Sequence, residues 1–208
     1  MKKYKIGALV SGGGTNLQSI IDACESGSIQ GEVAVVISSK KDAFALERAK
    51  KRNIPAVFID RKQCKDINEF SQKVSAELKK RNVHLVCLAG FLLKLSPSLV
   101  KEYKNRILNV HPALLPAFGG EGMFGHHVHE AVLASGAKFT GPTVHFVDED
   151  YDRGPIILQA VVPVLDDDCA DSLGKRVLAQ EHKIYPEAIR LFCENKLEVV
   201  GRRVIRRL

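Results

Sequence analysis

The sequence predicts an α/β protein: an open, mostly parallel sheet with helices on both faces and an antiparallel strand addition toward the C-terminus. Three observations predict it. Short apolar runs alternate with helical patterns over the first 110 residues. The runs are continuous, not alternating, as strands buried on both faces are. Beyond residue 140 the pattern changes to two runs joined by a charged, glycine-containing turn. In order, residues 5–10, 33–38, 56–59, 83–88 and 107–110 read as strands, and 17–26, 43–52, 68–81 and 96–103 as the helices between them. Residues 143–147 and 156–164 read as a hairpin or an added antiparallel edge. A long helix follows from about 171 to 193, which Pro186 is expected to kink or restart, because proline cannot donate to the preceding turn.

With 208 residues, the expectation is a single domain, 1–208. Hydrophobic residues make up 45% of the chain, enough for a substantial core. The basic start is followed by an apolar run only from Ile6 to Val10, which ends in glycines and not in a cleavage site. No apolar stretch is long enough to span a bilayer, so no membrane partner and a cytoplasmic location are expected. The five cysteines are scattered, odd in number and form no CxxC, which argues against a disulfide framework or zinc site. The net charge is +7, with Arg202, Arg203, Arg206 and Arg207 clustered at the end. Such a balance attracts small anions as well as nucleic acid. With 6% aromatics and no tryptophan, no nucleic-acid partner is expected.

Chemistry-bearing residues gather at the ends of the predicted strands. Asn109-Val110-His111-Pro112 follows the fifth strand, and ligands of open α/β sheets sit beyond the carboxyl ends of strands. Asn109 can donate to an oxyanion, His111 can move a proton near neutral pH, and Asp152 can hold and charge that histidine. Asp152 closes the acidic run Asp148-Glu149-Asp150-Tyr151-Asp152. Its place beside Gly154-Pro155 makes it the acid least suited to face solvent. Ser11-Gly12-Gly13-Gly14-Thr15-Asn16 links the first strand to the first helix. It is neither a P-loop nor a dinucleotide fingerprint, but it suits a phosphate cradle at a helix N-terminus. The alternative for that segment is a tight turn. His126-His127-Val128-His129 resembles a metal cluster, with His126 and His129 on one helix face. No Cys or carboxylate is placed to complete the coordination, so no metal is expected. The terminal RRVIRRL reads as a solvated strand or tail.

Several segments together carry a closer resemblance. SGGGTNLQ, CLAGF, NVHPALLPAF, GPTVHFV, YDRGPIILQ and QEHKIYP occur in this order between residues 11 and 186. They resemble the motifs of the glycinamide ribonucleotide formyltransferases, a folate-dependent family. The HPxLLP element is shared by the hydrolases and transferases that use formyltetrahydrofolate; the glycine loop with QEHKIYP is more specific. The resemblance implies a Rossmann-like sheet and direct formyl transfer from 10-formyltetrahydrofolate to the amine of glycinamide ribonucleotide, a step of purine biosynthesis. It implies Asn109, His111 and Asp152 as the catalytic set, with charge on the formyl oxygen met by Asn109 and a protonated His111. It also implies Gly14, Thr15 and Asn16 at the substrate phosphate, with Gln180 and Glu181 on the ribose side. The folate side falls on Phe91, Leu92, Leu93, Lys94 and Leu95, and on Asp148, Glu149, Asp150 and Tyr151. No metal is implied, and the enzyme is expected as a monomer or homodimer.

The chain departs from the family in three places. Leu92-Leu93 stands where the family usually has Met-Arg, so a side-chain contact to folate is lost. The folate-tail position aligns with Ile67, near Lys65, and the contact stays unassigned. Gly119–Gly125 is longer and richer in glycine than usual. A tRNA formyltransferase would need an RNA-binding domain after the QEHKIYP element, and a formyltetrahydrofolate hydrolase would need a regulatory domain before the first strand. A nucleic-acid module using the basic end is the rival of another class, and would show salt-sensitive binding.

Overall fold

A computed structural model describes residues 3–207. The chain divides into two compact units, Met1–Leu108 and Asn109–Leu208. The first holds strands β1 (Tyr4–Val10), β2 (Gly31–Ser38), β3 (Ala56–Phe58) and β4 (Leu85–Leu88), with helices α1 (Thr15–Glu25), α2 (Phe44–Lys51), α3 (Ile67–Lys80) and α4 (Pro97–Glu102) between and after them. The strand order is β4-β1-β2-β3, with every pair parallel. Ile6, Ala8, Leu9 and Val10 of β1 and Leu85–Leu88 of β4 are buried, which is why these strands read as continuous apolar runs.

Two of these helices, α3 and α4, begin at a side-chain cap. Asp66 accepts from Glu69 N at 2.9 Å, and Glu69 reaches back to Lys65 N at 2.7 Å. Ser96 caps α4 with Pro97 in its first turn. Phe70, Val74 and Leu78 recur at helical spacing and form the buried face of α3.

Strand β5 (Ile107–His111) runs across the division, and Asn109 opens the second unit. That unit holds α5 (His126–Ala134), β6 (Phe139–Thr140), β7 (Thr143–Phe146), β8 (Ile156–Gln159), β9 (Val162–Pro163), α6 (Ala170–Cys193), β10 (Leu197–Val200) and β11 (Arg203–Arg206). The order is β10-β11-β8-β7-β5. The β7/β8 and β10/β11 pairs are antiparallel, so the expected α/β class with an antiparallel C-terminal addition is present. Helix α6 packs on α5, β7 and β8. Val132, Leu173 and Val177 are fully buried between the two helices, with Val162 of β9 beside them.

The second unit decides three expectations. The single strand over 156–164 is two strands. Ala160 N donates to Pro142 O at 3.1 Å, which turns the chain, and β9 pairs with β6 in a separate two-stranded sheet. Helix α6 continues through Pro186 without restarting. Of the two readings of the terminal RRVIRRL, the strand holds: Arg203–Arg206 pairs with Leu197–Val200 across the tight turn at Gly201. Among the described residues, no helix is long and apolar enough to cross a membrane.

Candidate active site

The residues Asn109, His111 and Asp152, singled out by type and position, come together in the second unit. The carbonyl end of β5 presents Asn109 and His111. The segment after it is pinned by Thr143 of β7, whose hydroxyl donates to Ala113 O at 2.6 Å and accepts from Leu115 N at 3.0 Å. Gln159 of β8 donates to Leu115 O at 3.0 Å and to the same hydroxyl at 2.9 Å. Two residues of the quoted motifs thus serve to fix the histidine's segment.

Asp152 comes from the β7–β8 connection. Gly154 allows this turn, because a Cβ there would lie 1.7 Å from Phe146 O. Asp152 itself is left-handed at φ 53°, a conformation that aspartate tolerates better than most residues. Gly119 leaves room for it: a Cβ would meet Leu115 Cδ2 at 2.5 Å and Asp152 Cβ at 3.1 Å.

The polar contacts define the proton positions. His111 Nε2–H donates to Phe118 O at 2.8 Å, since a carbonyl can only accept. Nδ1 then faces Asp152 Oδ2 at 3.4 Å, and the same oxygen accepts from Gly120 N at 3.0 Å. Burial pulls His111 below the ordinary histidine value, against the opposing pull of Asp152 and the Phe118 carbonyl. Asp152 thus favours the charged imidazole, as expected, but burial opposes it more strongly. Burial pushes the Asp152 carboxyl up. His145, His111 and the Gly120 N–H together outweigh that and hold it below the usual carboxylate value.

A fourth side chain joins them. His145 of β7 is buried, and its Nδ1–H donates to Phe146 O at 2.8 Å. That leaves Nε2 to accept from Asn109 Nδ2 at 3.2 Å. Asp152 Oδ1 is 3.6 Å from the same ring nitrogen, a neighbour beyond hydrogen-bond length. A bulge between Val144 and His145 sets the register there. The sequence reading did not include His145 in the site; its position in GPTVHFV, two residues after the pinning Thr143, was the available signal. Asn109 Nδ2 points at His145 and, less closely, at Asp152 Oδ1, 3.5 Å away. The expected oxyanion donor is thus turned inward in the resting site, and its longer contact is the one available for release.

The other predicted residues divide between the units. In the first, Gly12, Gly13 and Thr15 are exposed and Asn16 is buried at the start of α1. Gly14 has φ 73°, and a Cβ on it would lie 2.6 Å from Ala45 Cβ, so packing alone accounts for this glycine. Gly12 and Gly13 have nothing within 4 Å of an added Cβ. The LAGF loop lies beside the glycine loop: Ser11 N donates to Gly90 O at 3.1 Å and Leu92 N to Ser11 Oγ at 3.2 Å. Phe91 stacks on Phe70 at 6.3 Å between centroids, Leu92 and Lys94 are exposed, Leu93 is half-buried and Leu95 is buried.

In the second unit, Asp150 N donates to Asp148 Oδ1 at 3.1 Å, an Asx turn, and Glu149 is exposed. Asp150 and Tyr151 border a cleft of about 690 Å3 with Pro116, Gly120, Glu121 and Arg153. Gln180 is half-buried and Glu181 buried on α6. His126 lies 3.4 Å from Glu130 and 3.5 Å from Asp171, while His129 is buried against Gly174 on α6. Two carboxylates therefore stand beside His126. Among the described residues, no group of three or more potential ligands is spaced for a metal ion.

The formyl transferase family model matches residues 4–189, nearly the whole chain. This protein is a member of the formyl transferase family. The chain is similar to the chloroplastic phosphoribosylglycinamide formyltransferase of Arabidopsis thaliana, 41% identical over 95% of this chain and 68% of that one. It is also similar to the phosphoribosylglycinamide formyltransferase of Escherichia coli, 41% identical over 92% of this chain and 88% of the other. Among solved structures, glycinamide ribonucleotide transformylase 1 of Symbiobacterium toebii superposes with a TM-score of 0.94 at 46% identity, covering 98% and 94% of the two chains. The shared fold places the quoted motifs within a formyl transferase; the side-chain roles rest on the geometry above.

Proposed function

We propose that this formyl transferase moves a formyl group from 10-formyltetrahydrofolate to the amine of glycinamide ribonucleotide, as the names of its relatives describe for them. The observation that carries the reading is the cluster of half-buried Asn109 and Asp152 around the buried His111, in a chain that matches the family from residue 4 to residue 189. That match runs through both compact units, so residues 1–208 are read as one formyltransferase domain.

10-Formyltetrahydrofolate supplies the formyl carbon when bound. The cleft beside Asp150 and Tyr151 has room for a ring system. The family resemblance assigns Asp148, Glu149, Asp150 and Tyr151 of the second unit, and Phe91, Leu92, Leu93, Lys94 and Leu95 of the first, to the folate. The exposed Gly12–Gly13 face suits a phosphate, with Gly14, Thr15 and Asn16 beside it at the start of α1. Gln180 and Glu181 are assigned to the ribose side.

The side chains then divide the work. The bond from the substrate nitrogen to the formyl carbon forms, the bond from that carbon to the donor nitrogen breaks, and one proton passes from the first nitrogen to the second. Asp152, held ionised, takes that proton from the substrate amine. Asn109 turns its longer N–H from Asp152 to the charge on the formyl oxygen. His111 keeps Nε2–H on Phe118 O and can take a proton only on Nδ1, where Asp152 stabilises it. Asp152 and His111 therefore form one proton-holding unit. No nucleophilic Ser or Cys takes part.

The five free cysteines suit a reducing compartment, and the cytoplasm is the location proposed. The enzyme is read as a monomer or homodimer without a nucleic-acid partner. A formyl-transfer assay with glycinamide ribonucleotide against water as acceptor tests the function. Transfer to the amine is expected; release of formate alone would replace this reading with a hydrolase.

A further inference from the structure

The glycine-rich loop has a support that the proton chemistry leaves unused. Gly12 O accepts from Ala45 N at 3.2 Å, and Gly13 O accepts from Arg48 Nε at 2.8 Å. Gly14 lies against Ala45 so closely that any Cβ would collide. Helix α2 therefore grips three consecutive loop residues.

In a trans peptide, the N–H points opposite to the C=O of the same unit. With the Gly12 and Gly13 carbonyls drawn toward α2, the N–H groups of Gly13 and Gly14 face the other way. Among the described residues, no backbone acceptor takes either of them. The positions of absent Cβ atoms at Gly12 and Gly13 are open space. Successive N–H groups aimed in one direction beside a helix N-terminus form an anion-binding concavity.

Arg48 is itself held on several sides. Its Nη1 donates to Gln18 Oε1 of α1 at 3.2 Å, and its guanidinium sits 5.1 Å from the Phe44 ring centroid. A half-buried guanidinium fixed by the loop, by α1 and by an aromatic ring has little freedom to turn outward as a ligand.

We propose that Arg48 is a positioning residue for the substrate's phosphate: by holding the Gly13 carbonyl it fixes the direction of the Gly14 N–H. This rests on the reading of the loop as the phosphate site. The arginine acts through the loop and does not contact the anion, so its loss weakens the phosphate grip without disturbing the formyl chemistry.

Three variants separate the possibilities. Arg48→Met keeps the stem and removes the donors. Arg48→Lys keeps charge and one donor. Gly13→Ala tests the loop itself by filling the open face. The readouts are kcat, KM for glycinamide ribonucleotide, KM for the folate and competitive inhibition by inorganic phosphate, with thermal unfolding of each variant. Arg48→Met is expected to raise the ribonucleotide KM roughly tenfold, the loss of one charge-assisted hydrogen bond. Inhibition by phosphate should weaken in parallel, with kcat and the folate KM close to the parent. Arg48→Lys should recover part of the loss. A raised ribonucleotide KM in Gly13→Ala with none in Arg48→Met overturns the role of Arg48 and leaves the loop reading standing. No change in either variant overturns both. An equal rise in both KM values, with a lower unfolding temperature, makes Arg48 a prop of the fold and also overturns the proposal.

Discussion

At the scale of single residues, Asp152 links the parts of the site. It accepts from Gly120 N, faces His111 Nδ1 and lies 3.5 Å from Asn109. Asp152→Asn keeps the size and the tolerance for a left-handed backbone but removes the charge. Turnover is expected to fall on the order of 10²–10⁴-fold, with unfolding nearly unchanged. His111→Ala should lower it comparably, and the double variant little further, because residues acting as a unit are not additive. Steady-state transfer by the four proteins measures this, and fully multiplicative losses would break up the unit. Gly119→Ala is a second case. Its Cβ must displace Leu115 or Asp152, so kcat should fall without a change in any functional group. Turnover equal to the parent would show that the turn relaxes elsewhere. Asn109, His111 and Asp152 were legible because amide, imidazole and carboxylate sat at strand ends. The protonation of His111 was not legible, since sequence shows the neighbouring charge but not the depth of burial that opposes it. For Gly14 the sequence suggested a ligand position; its φ and its contact with Ala45 add a packing reason for glycine that the sequence did not show. Gly14→Val would disturb the fold of the first unit and cannot report on phosphate binding alone.

At the scale of elements, helix α6 carries a residue against its own grain. Pro186 has no N–H for the carbonyl four residues back, and its ring crowds that turn, yet the helix runs on from Ala170 to Cys193. Burial of Leu173, Val177, Tyr185, Ala188 and Ile189 along one face holds it together. Pro186→Ala should therefore stabilise the protein, by on the order of 1 kcal/mol or more, less than the full helix-interior penalty because the native packing has already adapted. Urea unfolding measures it, and a lower midpoint would mean that the proline ring contributes packing outweighing its backbone cost. The sequence could flag this proline but not the outcome, because the outcome depends on tertiary packing. The C-terminal hairpin is the reverse case. Leu197–Val200 and Arg203–Arg206 leave two residues between them, led by Gly201 at φ 60°, a local hairpin signal. The four arginines obscured it, although Arg207 is spent on Glu198, to which its Nε and Nη2 donate at 3.0 and 2.8 Å. The split of β8 from β9 could not be read from an unbroken apolar run, because it depends on the close approach of Gly141 to Ala160.

At the scale of the whole molecule, burial of neutral histidines sets how the protein meets acid. His111, His129 and His182 are all held below the ordinary value, chiefly by burial. His129 Nδ1 and His182 Nε2 have no hydrogen-bond partner among the described residues. As pH falls below about 6.5, the unfolded chain takes up protons that the folded chain refuses, so stability declines toward the lower folded values. Above that pH these groups contribute no slope. Asp152 and Asp168 are held below the carboxylate value of 3.8, Asp168 by the Arg176 guanidinium beside it. Their contribution is intact above that value and is lost as pH falls through the folded one. The two sets act in the same direction in adjoining windows, histidines first and carboxylates second. Unfolding midpoints in urea should thus be level from about pH 8 to 7, fall once the pH drops below about 6.5, and fall further below about pH 4. His129→Leu removes one buried imidazole that packs against Gly174 and leaves Asp152 untouched. It should flatten the upper step and preserve the lower one. A parent midpoint that stays level down to about pH 5 would mean that these imidazoles protonate in place, with water or a shifted Asp152 as partner, and that their burial does not govern stability.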